Sequence, residues 1–313
     1  MKILITAELP FDVEGYLKGH ELDYSRGKSL SAKELKKRAK DADGIISMLS
    51  DKIDRELMES CKNLKVVANY AVGYNNIDVE AANDLGITVC NTPDVLTQTT
   101  AELGFALMIS AARRVPESDV FTRKKKFKGW KPDLFLGMDM YGKTLGVFGF
   151  GRIGQAVAKM ASGFNMDIIY HSRSKKPQAE LLTGAKRVSF EDLTRQSDFL
   201  IITAPANEGT KHKFTYETFV QMKSSAVLVN IGRGEIIKES DLVRALEGKL
   251  IFSAGLDVYE EEPKIDDGLF KLDNVVLAPH IGSGSFATRE DMARLCCDSV
   301  IKVFKGEVPA NKL

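Results

Sequence analysis

Cysteine is scarce in this 313-residue chain, and the four present (Cys61, Cys90, Cys296, Cys297) form no CxxC pair and no metal-ligand spacing. That excludes a disulfide scaffold and a zinc-ribbon type of site, so no metal is expected. Cys296 and Cys297 are adjacent and point different ways on a helix, a pattern that suits reduced thiols. Charge of one sign is lacking too. Lys and Arg number 44 against 43 Asp and Glu, and a net charge of +1 supplies no global field for nucleic acid or an anionic membrane. The local excess from Arg123 to Lys128 reads as a solvated face. No apolar run reaches the length of a membrane span. The opening Lys2-Ile3-Leu4-Ile5-Thr6 is too short and too soon interrupted for a signal peptide, and reads as the first strand of a cytoplasmic protein.

What remains is an ordinary globular composition, 44% hydrophobic and 28% charged, long enough for two domains. The first hundred residues alternate short apolar runs with polar helical stretches. Strands are predicted at Lys2–Thr6, Gly44–Met48, Val66–Asn69 and Ile87–Cys90. Ser31 with Glu34 three residues on predicts a capped helix through Ala39. A helix follows from about Thr99 to Arg114. Then a basic, aromatic segment from Arg113 to Gly142, with Pro116 and Pro132, reads as an exposed connecting arm. Six further strands are expected: Thr144–Phe148, Asp167–Tyr170, Phe199–Thr203, Ala226–Ile231, Phe252–Asp257 and Val275–Ala278. Strands alternating with helices imply parallel sheets, and hence two doubly wound α/β domains. The larger would be a dinucleotide-binding (Rossmann) domain over 100–284, including the arm at 113–142. The last helix, Phe286 to Phe304, has no strand left to serve. It is expected to return to the smaller domain, which would then comprise 1–99 and 285–313, with a cleft between the two.

The strand Leu145-Gly146-Val147-Phe148 runs into Gly149-Phe150-Gly151-Arg152-Ile153-Gly154 and then a helix. A lone GxGxxG is weak evidence, but here it stands between strand and helix, where the dinucleotide fingerprint has its physical meaning. Gly149 permits the tight turn, Gly151 lets backbone approach a pyrophosphate, and Gly154 lets helix pack on strand. The second strand of such a domain ordinarily ends, about twenty positions on, in a carboxylate that accepts the ribose 2′-hydroxyl. Here it ends in His171-Ser172-Arg173. A hydroxyl and an arginine suit a 2′-phosphate instead, which favours NADP(H), with NAD(H) the alternative if Arg173 merely stacks at the surface.

Ligands of open α/β sheets bind beyond the carboxyl ends of the strands, and that rule selects three groups. Arg233, between two glycines after Val227-Leu228-Val229-Asn230, offers a planar fork that matches a carboxylate beside a carbonyl oxygen. The acidic run Glu260-Glu261-Glu262 follows Asp257. His280 stands after Val275-Val276-Leu277-Ala278-Pro279; of the four histidines it alone has a strand-end setting beside a glycine-rich segment. Reducing a ketone needs hydride at carbon and a proton at oxygen. An imidazolium supplies the proton, a carboxylate orients the ring, and a guanidinium offsets charge growing on oxygen.

Over essentially its whole length the chain resembles the D-isomer-specific 2-hydroxyacid dehydrogenases. The matching segments are Val72-Gly73-Tyr74-Asn75-Asn76-Ile77-Asp78, the glycine loop, Asn230-Ile231-Gly232-Arg233-Gly234, Gly255-Leu256-Asp257-Val258-Tyr259 and Pro279-His280-Ile281-Gly282. The resemblance implies a catalytic triad of Arg233, Glu262 and His280, with Glu262 chosen from the acidic run because it stands five residues after Asp257. It implies that Asp257 approaches the nicotinamide carboxamide, and that Thr100, Arg152, Ile153, Ala204, Pro205, Thr210, Ile231 and Gly282 also lie along the cofactor. Backbone N–H groups at Val72 and Gly73 would take the substrate carboxylate, with Leu49 lining the pocket or serving as an ordinary apolar turn residue.

Within the family the chain is most similar to glyoxylate/hydroxypyruvate reductases, through Asn91-Thr92-Pro93-Asp94-Val95-Leu96-Thr97, Thr100-Ala101-Glu102-Leu103, Gly129-Trp130-Lys131-Pro132 and Tyr170-His171-Ser172-Arg173. That similarity implies reduction of a small 2-keto acid, preference for NADPH, and a homodimer joined through the arm around Trp130. Dehydrogenases for D-lactate, phosphoglycerate or branched-chain keto acids share the triad and are the alternatives. A dinucleotide-sensing co-regulator of the same fold is a more remote one.

Overall fold

The computed structural model describes residues 1–27 and 30–313, in two compact units: Met1–Leu96 with Ser283–Leu313, and Thr97–Gly282. Among the described residues no helix is long and apolar enough to cross a membrane.

The first unit is built on a five-stranded sheet. Its strands are β1 (Lys2–Ile5), β2 (Glu21–Tyr24), β3 (Gly44–Ser47), β4 (Val66–Asn69) and β5 (Thr88–Cys90), all parallel in the order β2-β1-β3-β4-β5. Every residue of β3 and β4 is buried, because helices cover both faces of a parallel sheet. The short edge strand β2, Glu-Leu-Asp-Tyr, has no buried residue and no apolar run, which is why periodicity does not announce it. The helix Ala32–Ala39 is capped by Ser31, whose side chain accepts from the Glu34 N–H while Glu34 reaches back to the Ser31 N–H at 3.0 Å.

The helix Phe286–Phe304 belongs to this unit and packs on β3 and β4. Among its buried residues Met292, Cys296 and Val300 recur every fourth position, as do Ala293 and Cys297 in the row beside them, and the two rows together form one broad stripe. A methyl on Gly44 of β3 would lie 3.0–3.3 Å from Phe304 and Val300, so glycine here is what allows the helix its close approach.

The second unit carries seven parallel strands: β6 (Thr144–Phe148), β7 (Asp167–His171), β8 (Lys186–Arg187), β9 (Phe199–Ile202), β10 (Val227–Asn230), β11 (Ser253–Leu256) and β12 (Val275–Leu277). Their order, β12-β11-β10-β9-β6-β7-β8, reverses direction between β6 and β9. This is the doubly wound Rossmann arrangement, and the reversal makes a ligand crevice at the carboxyl ends of those two strands. Seven strands rather than the six expected is a correction. Lys186–Arg187 is two exposed residues long and offers no hydrophobic signal.

One face of this sheet is covered by the helices Thr97–Ala112 and Arg152–Ala161, which pack Met108, Val157 and Ala161 against Leu145, Val147 and Val229. The other face is covered by Tyr216–Gln221 and Glu239–Glu247, with Phe219, Leu242 and Leu246 against Leu200, Leu228 and Ala254. The Val, Leu, Met and Phe side chains among these each contribute about 1.5–3 kcal/mol when fully buried, so the sheet is a rigid platform for whatever its strand ends carry. The expected arm is helical over Val115–Arg123, with Pro116 in the first turn where its missing N–H costs nothing. Beyond that helix, Phe127, Trp130, Leu136 and Tyr141 are exposed, Trp130 to 82%.

Candidate active site

All three members of the expected triad lie in the second unit, at the carboxyl ends of β10, β11 and β12. Arg233 follows β10 by three residues. The turn that presents it is fixed by Asn230, fully buried, whose Oδ1 accepts the Gly232 N–H at 3.0 Å and whose Nδ2 donates to the Arg233 carbonyl at 2.9 Å. A methyl at Gly234 would sit 1.8 Å from the Tyr259 carbonyl, so the Arg233 turn is pressed onto the loop after β11, and only glycine permits that contact. Burial lowers the pKa of the Arg233 guanidinium, against the pull of Glu262 and Glu235. An arginine remains cationic at physiological pH even so.

The acidic run after β11 divides its members among different partners. Glu262 Oε2 lies 2.7 Å from Nδ1 of His280, and its Oε1 accepts the Tyr259 N–H at 3.0 Å. Glu260 instead binds His212, with Oε1 2.5 Å from Nε2. Glu261 faces solvent beside Lys264. Burial pushes the Glu262 carboxyl up, but the His280 ring, the Tyr259 N–H and the Arg233 guanidinium outweigh it and hold the group below its ordinary value. An ionised Glu262 can only accept, so Nδ1 of His280 carries hydrogen and Nε2 is the nitrogen left for proton exchange with a ligand.

His280 adopts a left-handed backbone, φ 54°. The N–H of the next residue, Ile281, donates at 2.7 Å to Asp257, which stands directly after β11 and is 1% exposed. Burial raises the Asp257 pKa despite that bond and a second one from the Gly282 N–H. A methyl on Gly282 would meet both Asp257 Oδ2 and Thr100 Cγ2 at 3.2 Å. Thr100, Asp257 and Gly282, expected along one ligand from three distant stretches of sequence, therefore share a single contact point.

The glycine loop follows β6 at the sheet's reversal. Gly149 has φ +93°, and a methyl there would lie 2.6 Å from the Ala204 nitrogen after β9. Gly154 packs so closely that a methyl would lie 2.4 Å from the Gly149 carbonyl oxygen. A methyl at Gly151, by contrast, would meet nothing within 4 Å. The helix Arg152–Ala161 starts there with no side-chain cap at Gly151 and no acidic residue in its first turn. An open backbone at an uncapped ten-residue helix is what a pyrophosphate requires, so the chain's own residues fit a dinucleotide. Pro205 and Thr210 close the loop after β9, where Thr210 Oγ1 donates to the Pro205 carbonyl at 2.8 Å. Ile231 and Ala204 are buried, and the Ile231 side chain packs at Gly104.

At the end of β7 the sequence missed a residue. The Arg187 guanidinium donates to the carbonyls of Ser172 (3.0 Å) and Arg173 (3.1 Å), bringing a second cation to the expected 2′-phosphate position. His171 turns inward there, stacked on Phe148 with Nδ1 3.1 Å from the Val188 carbonyl. His171, Lys175, Arg187, Val188, Ser189 and Asp192 line a depression beside it. The His212–Glu260 pair was also missed, and so was its support. Glu239, 6% exposed, accepts the N–H groups of Glu260 (2.6 Å) and Asp266 (3.0 Å), while its own N–H donates to Glu260 Oε2 at 2.9 Å. This clasp anchors the loop that carries Glu262.

In the first unit Leu49 is half-buried in the turn after β3, and Val72 and Gly73 are half-buried in the loop after β4.

A family model described as "D-isomer specific 2-hydroxyacid dehydrogenase, NAD binding domain" matches residues 105–282. Over 98% of this chain and 94% of its own length, the glyoxylate reductase of Pyrococcus horikoshii is 47% identical. The chain belongs to the D-isomer-specific 2-hydroxyacid dehydrogenases. Its fold is similar to that of a glyoxylate reductase from Paecilomyes thermophila, with TM-score 0.86 and 32% identity covering 100% of this chain and 98% of that one. It is also similar to an NADPH-dependent glyoxylate/hydroxypyruvate reductase from Sinorhizobium meliloti in complex with NADP and malonate, with TM-score 0.87 and 29% identity covering 100% and 96%. As a D-2-hydroxyacid dehydrogenase the chain is an oxidoreductase that interconverts a 2-keto and a 2-hydroxy acid, with a nicotinamide dinucleotide as cofactor.

Proposed function

We propose that this dehydrogenase works as a reductase of glyoxylate or hydroxypyruvate, using NADPH, with Arg233, Glu262 and His280 as its catalytic triad. One observation carries the reading: the 2.7 Å contact between His280 Nδ1 and an ionised Glu262, which fixes the ring and leaves Nε2 as the acid. The nicotinamide, when bound, supplies the hydride. His280 delivers the proton to the carbonyl oxygen. Arg233 holds the substrate and offsets negative charge growing on that oxygen. Val72 and Gly73 take the carboxylate through backbone N–H groups, with Leu49 beside them. The unit Met1–Leu96 with Ser283–Leu313 is then the substrate domain, and Thr97–Gly282 the cofactor domain.

Gly149, Gly151, Arg152, Ile153 and Gly154 would hold the pyrophosphate. Thr100, Ala204, Pro205, Thr210, Ile231, Asp257 and Gly282 would line the rest of the cofactor. Ser172 and Arg173 would take the 2′-phosphate, and the two arginine charges at the end of β7 support NADPH over NADH. The exposed aromatic residues of the arm support a homodimer joined there, and four unpaired, buried cysteines support a reducing, cytoplasmic setting.

Replacing His280 with Ala tests the triad. Turnover of glyoxylate with NADPH should fall about 10²–10⁴-fold, the usual worth of a general acid, while dinucleotide affinity stays near native. Near-native turnover would exclude His280 as the proton donor. The cofactor reading has its own check: Arg173→Ala should weaken NADPH much more than NADH, and equal losses would remove the argument for a 2′-phosphate site.

A further inference from the structure

The loop proposed above to take the substrate carboxylate has a supporting structure that the triad does not explain. Three successive carbonyls of that loop are anchored from the protein side. The Ala71 carbonyl accepts the Thr92 N–H at 2.9 Å, the Val72 carbonyl accepts Asn91 Nδ2 at 2.8 Å, and the Gly73 carbonyl accepts Asn69 Nδ2 at 2.8 Å. Asn69 is fully buried at the end of β4, and Asn91, 7% exposed, follows β5. Asn69 is itself held, since its Oδ1 accepts from Ser47 Oγ at 3.2 Å and its amide pairs reciprocally with that of Asn76 at 3.3 Å. Asn76 Nδ2 in turn donates to the carbonyls of Met48 (3.2 Å) and Asp51 (2.9 Å), which fixes the turn containing Leu49 to the same network.

In a trans peptide the carbonyl and the next residue's N–H point in opposite directions. Anchoring the carbonyls of Ala71, Val72 and Gly73 therefore aims the N–H groups of Val72, Gly73 and Tyr74 away from the anchors. None of these three N–H groups donates to a protein acceptor among the described residues. Consecutive unengaged N–H groups form a concavity for an anion, but only while their peptide planes stay fixed.

We propose that Asn91 and Asn69 are positioning residues for recognition of the substrate carboxylate: their side-chain amides lock the peptide planes of residues 72–74 with the N–H groups turned toward the anion. This rests on the reading of the Val72–Gly73 loop as the carboxylate site. Asn91 is the better handle, because its backbone alone bonds to Asn311 and its side chain serves only the Val72 carbonyl among the described contacts.

The test compares a 2-keto acid with its methyl ester in the native enzyme and in Asn91→Leu, which keeps the side chain's size but has no donor. The native enzyme should strongly favour the acid. In Asn91→Leu the acid-to-ester ratio of kcat/KM should fall about ten-fold or more, since hydrogen bonds to a charged acceptor are the strong ones. Dinucleotide affinity, a property of the other unit, should not change. Equal loss on acid and ester, or a ratio unchanged in the variant, would overturn the positioning role while leaving the carboxylate loop in place. A native enzyme indifferent to the ester would instead overturn the loop reading itself. If Asn91→Leu does not fold, Asn91→Ser, whose hydroxyl is too short to reach Val72, answers the same question.

Discussion

Replacing two glycines only three positions apart should give opposite phenotypes, because the added methyl meets different surroundings. At Gly154 it would lie 2.4 Å from the Gly149 carbonyl oxygen, 2.9 Å from Thr203 Oγ1 and 3.0 Å from Val147 Cγ1. The nearest of these is backbone, and that oxygen also accepts the Thr203 hydroxyl, so it cannot retreat freely. Overpacking of this kind costs about 1–3 kcal/mol, and three simultaneous close contacts argue for the upper half of that range. Gly154 lies within the helix, so alanine returns about 1 kcal/mol of helix propensity. The net is a loss of about 1–2 kcal/mol. In a unit of this size each kcal/mol moves the melting temperature by about 2–4 °C. Gly154→Ala should therefore melt about 2–8 °C below the native protein. At Gly151 the methyl meets nothing, and φ −79° with ψ −164° is open to alanine. Gly151→Ala should thus melt at or slightly above the native temperature. Its methyl stands where the pyrophosphate is proposed to approach, so dinucleotide affinity should drop at least about ten-fold, or about 1.4 kcal/mol. Thermal melts with fluorescence titration of NADPH and NADH measure both effects. Native affinity in Gly151→Ala would refute the placement of the pyrophosphate, and a native melting temperature in Gly154→Ala would refute the packing argument.

Two further perturbations bear on the loop that holds Glu262. Glu239→Ala strands the N–H groups of Glu260 and Asp266 in a half-buried setting at up to about 1–3 kcal/mol each, partly offset by relief from burying a carboxylate; denaturant melts should show a net loss of about 2 kcal/mol. Stability unchanged in that variant would mean the clasp contributes nothing. Glu262 has a folded-state pKa below its ordinary 4.5, so it contributes stability that is complete above that value and is lost as pH falls through the lowered one. Glu262→Gln should accordingly be less stable than native at neutral pH and converge with it in acid. Melts whose difference does not narrow with falling pH would contradict that sign.

Much of this architecture was readable because parallel strands are buried on both faces and appear as unbroken apolar runs. Val66–Asn69 and Val227–Asn230 are such runs, and the buried stripe of Phe286–Phe304 is equally plain. The two strands that escaped, β2 and β8, lie at sheet edges and are respectively half-polar and dibasic, so burial imprinted no pattern on them. The same logic applies to the site. Groups delivered directly by a strand end, such as Arg233 and His280, could be named from position alone. Arg187, His212 and Glu239 act through contacts made across the fold, with Ser172, Glu260 and Asp266, and no local spacing encodes those pairings. His212 stands in the sequence as an unremarkable loop histidine. It is the tertiary structure that sends alternate glutamates of the acidic run, Glu260 and Glu262, to different rings.

The chain's return to its first unit imposes a timetable on biosynthesis. The sheet of β1 to β5 leaves the ribosome early, yet the helix that covers β3 and β4, Phe286–Phe304, is made only after the whole of the second unit. At about 5–20 residues per second the intervening stretch of some two hundred residues takes roughly 10–40 s to translate. Throughout that interval the nascent sheet keeps an uncovered oily flank, while the inserted unit can finish folding ahead of the one that began first.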